Sequence, residues 1–427
     1  MYISLNDRGD EASADESAAA NPTPPGAKKA LVRVSSVVIT LGIVSMLTDV
    51  SSESVAAILP LYITSAMGLS TIAYGFIDGL YQGVSAFVRI GGGWAADRAD
   101  RPKWIAFAGY GLSAVAKIWL LLATGFAAIA AVVAVDRIGK GIRTAPRDAL
   151  ITASSEPSNL GHSFGVHRML DTIGAAVGPL LAFLVLFFVP TGYTIVFVIS
   201  LAFAALGVIV LGLLVPNRRP RAERAKALTR PPLRWRDLNE PRLRRLVIVA
   251  GILGLLTIGD GFVYLSLQAR SDFAATWFPL LYVGTNIAFF VFAIPLGRIA
   301  DRVGRWRVFL FGHIALVLAY ACTVLPFGGP TITILCLVLL GAFYAATDGV
   351  LAALAAQFSP PDGIASGIAA AQTVVAVARL LASTGFGVLW FAIGRGNAVL
   401  IAAAALAIAI PIAWFLLRSL RSKATTA

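Results

Sequence analysis

Charge is what this sequence has least of. Only 13% of its 427 residues are Asp, Glu, Lys or Arg, and 58% are hydrophobic; a soluble domain carries roughly a quarter charged residues. Apolar runs recur along nearly the whole chain after residue 34, each near the roughly 20 residues that a spanning helix needs. A soluble enzyme is excluded, and so is a soluble domain on a single anchor. Only two cysteines occur, Cys322 and Cys336, both in or beside apolar runs; a disulfide is not expected, and they read as buried thiols. Three histidines and four methionines are too few for a dedicated soft-metal pathway, so neither metal nor cofactor is expected. Also missing are a zinc-binding His-Glu-x-x-His and a phosphate-cradling loop. Those absences argue against an enzyme and against ATP-driven transport by this chain alone.

What is present is a succession of twelve apolar segments. They are predicted as helices at 36–66, 71–95, 104–124, 127–148, 164–188, 193–215, 246–268, 276–298, 308–326, 331–356, 364–392 and 397–418, with Pro60 offering a kink in the first. The fold class is therefore an all-α membrane protein. Residues 1–33 are polar, with Asp10, Glu11, Asp15 and Glu16 followed by Pro22, Pro24 and Pro25. They lack the basic start and apolar core of a signal peptide and read as a disordered cytoplasmic tail. Two six-helix units are expected at 34–215 and 246–418, joined by the basic segment 216–245, with a short tail at 419–427.

The net charge of +13 is not spread evenly. Arg and Lys gather in the linker, in the tails, after the second and eighth spans and at the end of the fourth. That is the positive-inside pattern, and it places both termini and the linker in the cytoplasm of a multi-pass cell-membrane protein. The eleven basic residues between Arg218 and Arg245 read as a linker held near anionic lipid, not as a nucleic-acid site. A monomer is expected.

A repeat supports the division into halves. Gly93, Asp97, Arg98 and Arg101 follow the second span; Gly297, Asp301, Arg302 and Arg305 stand 204 residues later, after the eighth. The glycines are expected to permit close helix approach, and the aspartates to pair with a neighbouring helix as a latch that opens in another conformation. The simpler alternative is charge that only sets topology. Both loops resemble the Gly-x-x-x-Asp-Arg-x-Gly-Arg signature of the major facilitator superfamily, although Asp100 stands where the second copy has Gly304. Gly165, Gly174, Gly178 and Pro179 are similar to the fifth-helix motif of that superfamily's antiporters, with Ala182-Phe183 in place of its closing Gly pair. Two further stretches, Thr48 to Glu53 and Asp136 to Asp148, resemble a poorly characterised bacterial branch. The resemblance covers about residues 34 to 418 and implies a secondary transporter with the twelve-helix fold of the superfamily.

Ionisable residues inside spans are costly and are usually functional. Asp49 and Glu53 share one face of the first span at i, i+4. Two carboxylates in low dielectric cannot both stay charged cheaply, which suits proton uptake and release. The proton-coupling candidates are Asp49, Glu53, Asp136, Arg143 and Asp171, with Arg143 or another base of the fourth span as competing partner. A static ion-pair network is the alternative, above all for the fourth span. The second half is poorer, with Asp260, Asp348 and Arg379, so the polar machinery is expected in the first. Gln82, Asn286, Gln372 and Arg379 are the candidates for a substrate cavity. The expectation is a proton-coupled exporter of a small molecule; the alternatives are a proton-coupled importer of a small anionic solute and, more remotely, a non-transporting membrane sensor or scaffold.

Overall fold

A computed structural model describes residues 34–98, 102–156, 159–217, 240–271, 273–326, 328–360 and 363–418, without the side chains of 89–98. The two tails, most of the basic linker and Arg101 lie outside the described residues. Thirteen α-helices are defined within them. The first half holds α1 (Ser36–Leu61), α2 (Thr71–Arg98), α3 (Pro102–Leu122), α4 (Gly125–Ala153), α5 (Leu160–Phe188) and α6 (Tyr193–Leu214). The second holds α7 (Pro241–Leu255), α8 (Asp260–Ser271), α9 (Pro279–Val303), α10 (Arg305–Val324), α11 (Pro330–Phe358), α12 (Ile364–Ile393) and α13 (Arg395–Arg418). Together α7 and α8 make one interrupted span, so the spans number twelve, as expected.

Ten spans are long and apolar enough to cross a membrane on length and composition. The other two are α2 and α4, and α4 carries Asp136, Arg137, Lys140, Arg143, Arg147 and Asp148. Such a helix can sit in a bilayer only if its charges face protein or a water-filled cavity. Large apolar side chains cover the outside of the bundle: Leu122, Phe188 and Leu213 are each more than 70% exposed, which is the lipid-facing surface of a span.

Two local departures from the expected helices have clear causes. Pro60 cannot donate its backbone hydrogen bond, and one turn later α1 runs into a π-helical turn at Tyr62–Ala66. The seventh span, expected as continuous, breaks between Leu255 and Asp260. It also starts earlier than expected, at Pro241, inside the segment assigned to the linker.

The closest packing between halves lies at the end of the bundle away from the termini, where α2 begins and α12 finishes. A Cβ on Gly75 would lie 2.5 Å from the Ser383 carbonyl oxygen, and one on Gly79 would lie 2.7 Å from that of Leu380. Thr71 Oγ1 donates to the Gly387 carbonyl at 3.1 Å. Beside this contact Phe183 of α5 stacks on Trp277, which precedes α9, with ring centroids 5.4 Å apart. The buried apolar core follows suit. One cluster runs from Val55 and Ile58 through the whole second half, while Val38, Leu41 and Val44, near the termini, belong to a separate cluster confined to the first half. Among the described residues the halves pack closely at one end, and the buried cluster at the other end is confined to the first half.

Candidate functional site

Charges buried in the first half fall into two groups. One is a tight network at α3 and α4. Asp136 pairs with Lys117 at 3.3 Å and with Arg137 at 2.5 Å, all three nearly excluded from solvent. The Arg137 guanidinium lies 3.8 Å from the centre of the Tyr81 ring of α2. Arg143 donates to Ser113 Oγ at 3.1 Å and covers the Tyr110 ring. Burial of so many ionic groups is tolerable only because each is matched.

The other group is looser and lies on α1. Asp49 is buried, with Lys140 and Arg143 of α4 and Asp171 of α5 among the charged groups that act on it. Glu53, one helical turn on, receives the Tyr81 hydroxyl at 3.5 Å and faces Lys140 at 4.0 Å, with both charged side chains partly exposed. Asp171 is also bonded by Arg168 at 3.2 Å. The helix-5 glycines set this arrangement. A Cβ on Gly174 would lie 2.4 Å from the Met46 carbonyl oxygen, and one on Gly178 2.8 Å from Ser54 N. With no side chain at either place, α5 rests directly on the backbone of α1 on both sides of Asp49. Pro179 is buried beside them, whereas Gly165 meets nothing within 4 Å.

Several sequence expectations are redirected by this geometry. Of the fourth-span bases named as competing partners, Lys140 lies 4.0 Å from Glu53, and Arg143 contacts Ser113 and the Tyr110 ring. Asp136 sits in the static network, apart from the α1 carboxylates. Among the repeated-loop residues, Gly297 has open space around it, so it makes no close helix approach here. Asp301 pairs with Arg305 at 2.9 Å across the α9–α10 junction, exposed to solvent, and Arg302 is exposed. Gly304 turns that junction with φ +111, a conformation that favours glycine. The side chains of Asp97 and Arg98, and all of Arg101, fall outside the described residues, and of Gly93 only the helical backbone is described.

A recess lies where the seventh span breaks, lined by Gln82, Thr257, Ile258, Gly259, Tyr344, Arg379 and Ser383. Both halves contribute to it. Gln82 and Arg379 were expected at a cavity; Asn286 and Gln372 are half-buried elsewhere and do not line this recess. Two carboxylates back it. Asp78 of α2 accepts from Ser383 of α12 at 2.6 Å, and Asp260, first residue of α8, accepts from Tyr344 at 2.7 Å. Asp78 presses so closely on the break that a Cβ on Gly259 would lie 2.0 Å from its Oδ2. The polar machinery is thus not confined to the first half. Thr257 and Ser383 were not anticipated; the one sequence signal was the run Gly259-Asp260-Gly261 inside an apolar segment.

Twelve spans in two halves, joined at one end over buried charge and a small polar recess, define a polytopic membrane transporter. The family model described as Major Facilitator Superfamily matches residues 41–383 and 288–426, and the chain belongs to that superfamily. It is 30% identical over 359 residues, 82% of this chain and 87% of the other, to an uncharacterised MFS-type transporter of Methanocaldococcus jannaschii. It is 28% identical over 280 residues, 62% of this chain and 66% of the other, to an uncharacterised protein of Mycobacterium bovis. Among solved structures, the nucleoside transporter NupG superposes with a TM-score of 0.77 at 16% identity, covering 89% of this chain and 99% of that one. A POT family transporter in complex with 5-aminolevulinic acid gives 0.77 at 15% identity over 92% and 99% of the two chains. At such identities the likeness concerns the fold.

The Asp136 network predicts a stability defect rather than a pure transport defect. Asp136→Asn leaves the buried Lys117 and Arg137 without their carboxylate and should destabilise the fold by about 3–5 kcal/mol. A thermal unfolding midpoint in detergent equal to that of the parent would contradict this, and Asp136→Glu should restore most of the loss.

Proposed function

We propose that the chain is a proton-coupled secondary transporter that exports a small molecule by antiport. The observation that carries this reading is the loose carboxylate group of α1 and α5. Lys140 and Asp171 are among the charges that surround Asp49, and Lys140 stands 4.0 Å from Glu53 without pairing tightly. A proton taken up by this group neutralises it; when the halves move, the base draws nearer a carboxylate, which then releases the proton. Solute leaves the other way if the cavity holds it well only while the acids are charged. Asp97 and Asp301 act as latches of the inner end. Uptake of an anionic solute together with protons is the second reading; it draws on the basic side chains of the first half, Lys140 and Arg143 among them.

Orientation belongs to the same proposal. Both termini and the linker face the cytoplasm, so the end where α2 and α12 pack is the outer one. A topology reporter fused after Arg236 should be active on the cytoplasmic side; activity only outside the membrane would overturn the layout.

Coupling is tested in proteoliposomes holding a trapped pH-sensitive dye, to which candidate solutes are added with and without an imposed pH gradient. Solute and protons moving in opposite directions support antiport; movement together supports the second reading. Asp49→Asn and Glu53→Gln should lose gradient-driven flux, while at least one keeps counterflow, because the cavity and the rocking motion survive. Asp301→Asn should slow both modes alike. Full gradient-driven flux in the Asp49→Asn, Glu53→Gln double variant removes these residues from coupling and shifts the role to Asp171.

A further inference from the structure

The recess at the broken seventh span bears on what is carried, given the reading of the chain as a transporter. Three hydroxyls line it, and each has its proton committed elsewhere. Thr257 Oγ1 donates to the Leu253 carbonyl at 2.9 Å, Tyr344 to Asp260 at 2.7 Å and Ser383 to Asp78 at 2.6 Å. A hydroxyl has one proton and two lone pairs, so these three can offer a solute only acceptor lone pairs. Two of them have a carboxylate directly behind. Arg379 stands among them as the single cation of the lining. Its nearest carboxylate oxygen, on Asp348, is 4.0 Å away, beyond hydrogen-bond distance, and its buried Nε has no partner among the described residues. An unsatisfied buried donor costs on the order of 1–3 kcal/mol, which a solute acceptor would recover. Gln82, from the other half, can donate or accept.

In the described conformation the recess is closed, with no room for a water molecule; we propose that, once opened by movement of the halves, it binds a small solute carrying a protonated amine together with an acceptor such as a carboxylate or carbonyl. The amine lies against the Tyr344–Ser383 wall, where lone pairs and two carboxylates stabilise a cation. The acceptor faces Arg379. Gln82 and Asp78 belong to the first half and the remaining groups to the second, so a bound solute bridges the halves and its binding is linked to their closure.

The test needs no knowledge of the natural solute. Gln82→Cys is introduced into the full chain, whose two native cysteines are buried, with the parent as blank. Its thiol is modified with two small reagents of opposite charge, 2-aminoethyl and 2-sulfonatoethyl methanethiosulfonate, each rate being divided by that for a free thiol. The cationic reagent should be favoured about tenfold or more. Asp78→Asn with Asp260→Asn should remove most of that preference, and Arg379→Gln should increase it. An equal or faster corrected rate for the anionic reagent overturns the proposal, as does a preference that ignores the two aspartates. Thr257→Cys serves as a second reporter if Gln82→Cys does not fold. Because the rates need no pH gradient, a failure here is distinct from a failure of proton coupling.

Discussion

Helix backbones can touch only where side chains are missing, and that constraint governs both functional regions of this molecule. Between α2 and α12, Gly75, Gly79 and Gly387 leave no room for a side chain, and the two halves meet there almost backbone to backbone. Between α1 and α5, Gly174 and Gly178 do the same within one half. In a bilayer no hydrophobic effect drives helices together, so close van der Waals packing of small residues has to supply the association. The first contact closes one end of the bundle. The second fixes the register that brings Asp49 to Asp171.

That register separates two kinds of buried charge. The Asp136 network is dense: two cations on two helices lie within 3.3 Å of one carboxylate, with an aromatic ring over one of them. Such a group orders α2, α3 and α4 and has little freedom to exchange partners. The α1 carboxylates differ. Glu53 has only long contacts, and Asp49 has another carboxylate for a neighbour. A loosely held acid beside a loosely held base is the arrangement that a change of conformation can re-pair. The two groups are joined through Tyr81, which lies over Arg137 and points its hydroxyl at Glu53, so a shift of α1 against α2 is felt by both.

The number of spans was legible in the sequence because hydropathy is a local property, and the repeated loops suggested an internal symmetry. The broken seventh span was not. Leu255 through Ile258 is uniformly apolar apart from Thr257, and hydropathy does not distinguish an apolar helix from an apolar break; only the glycines on either side of Asp260 hinted at it. The presence of acids in α1 was legible, but not their partners. Lys140 and Arg143 are less than one turn apart on α4, and which of them faces α1 depends on how α4 is rotated against α3, a tertiary fact. Gly297 shows the reverse limit: a glycine in a recurring pattern was assigned to close packing, and in this conformation its surroundings are open.

The central claim is that α2 and α12 form a closure between rocking halves, not a permanent seam. The direct measurement is the distance between spin labels at Phe76→Cys and Val388→Cys, on exposed positions of the two helices, recorded in nanodiscs for the parent and for Gly79→Val. The account predicts a short distance in the parent with a second, longer population that Gly79→Val enriches, since the new side chain cannot fit against Leu380. A single short distance in both proteins would contradict it.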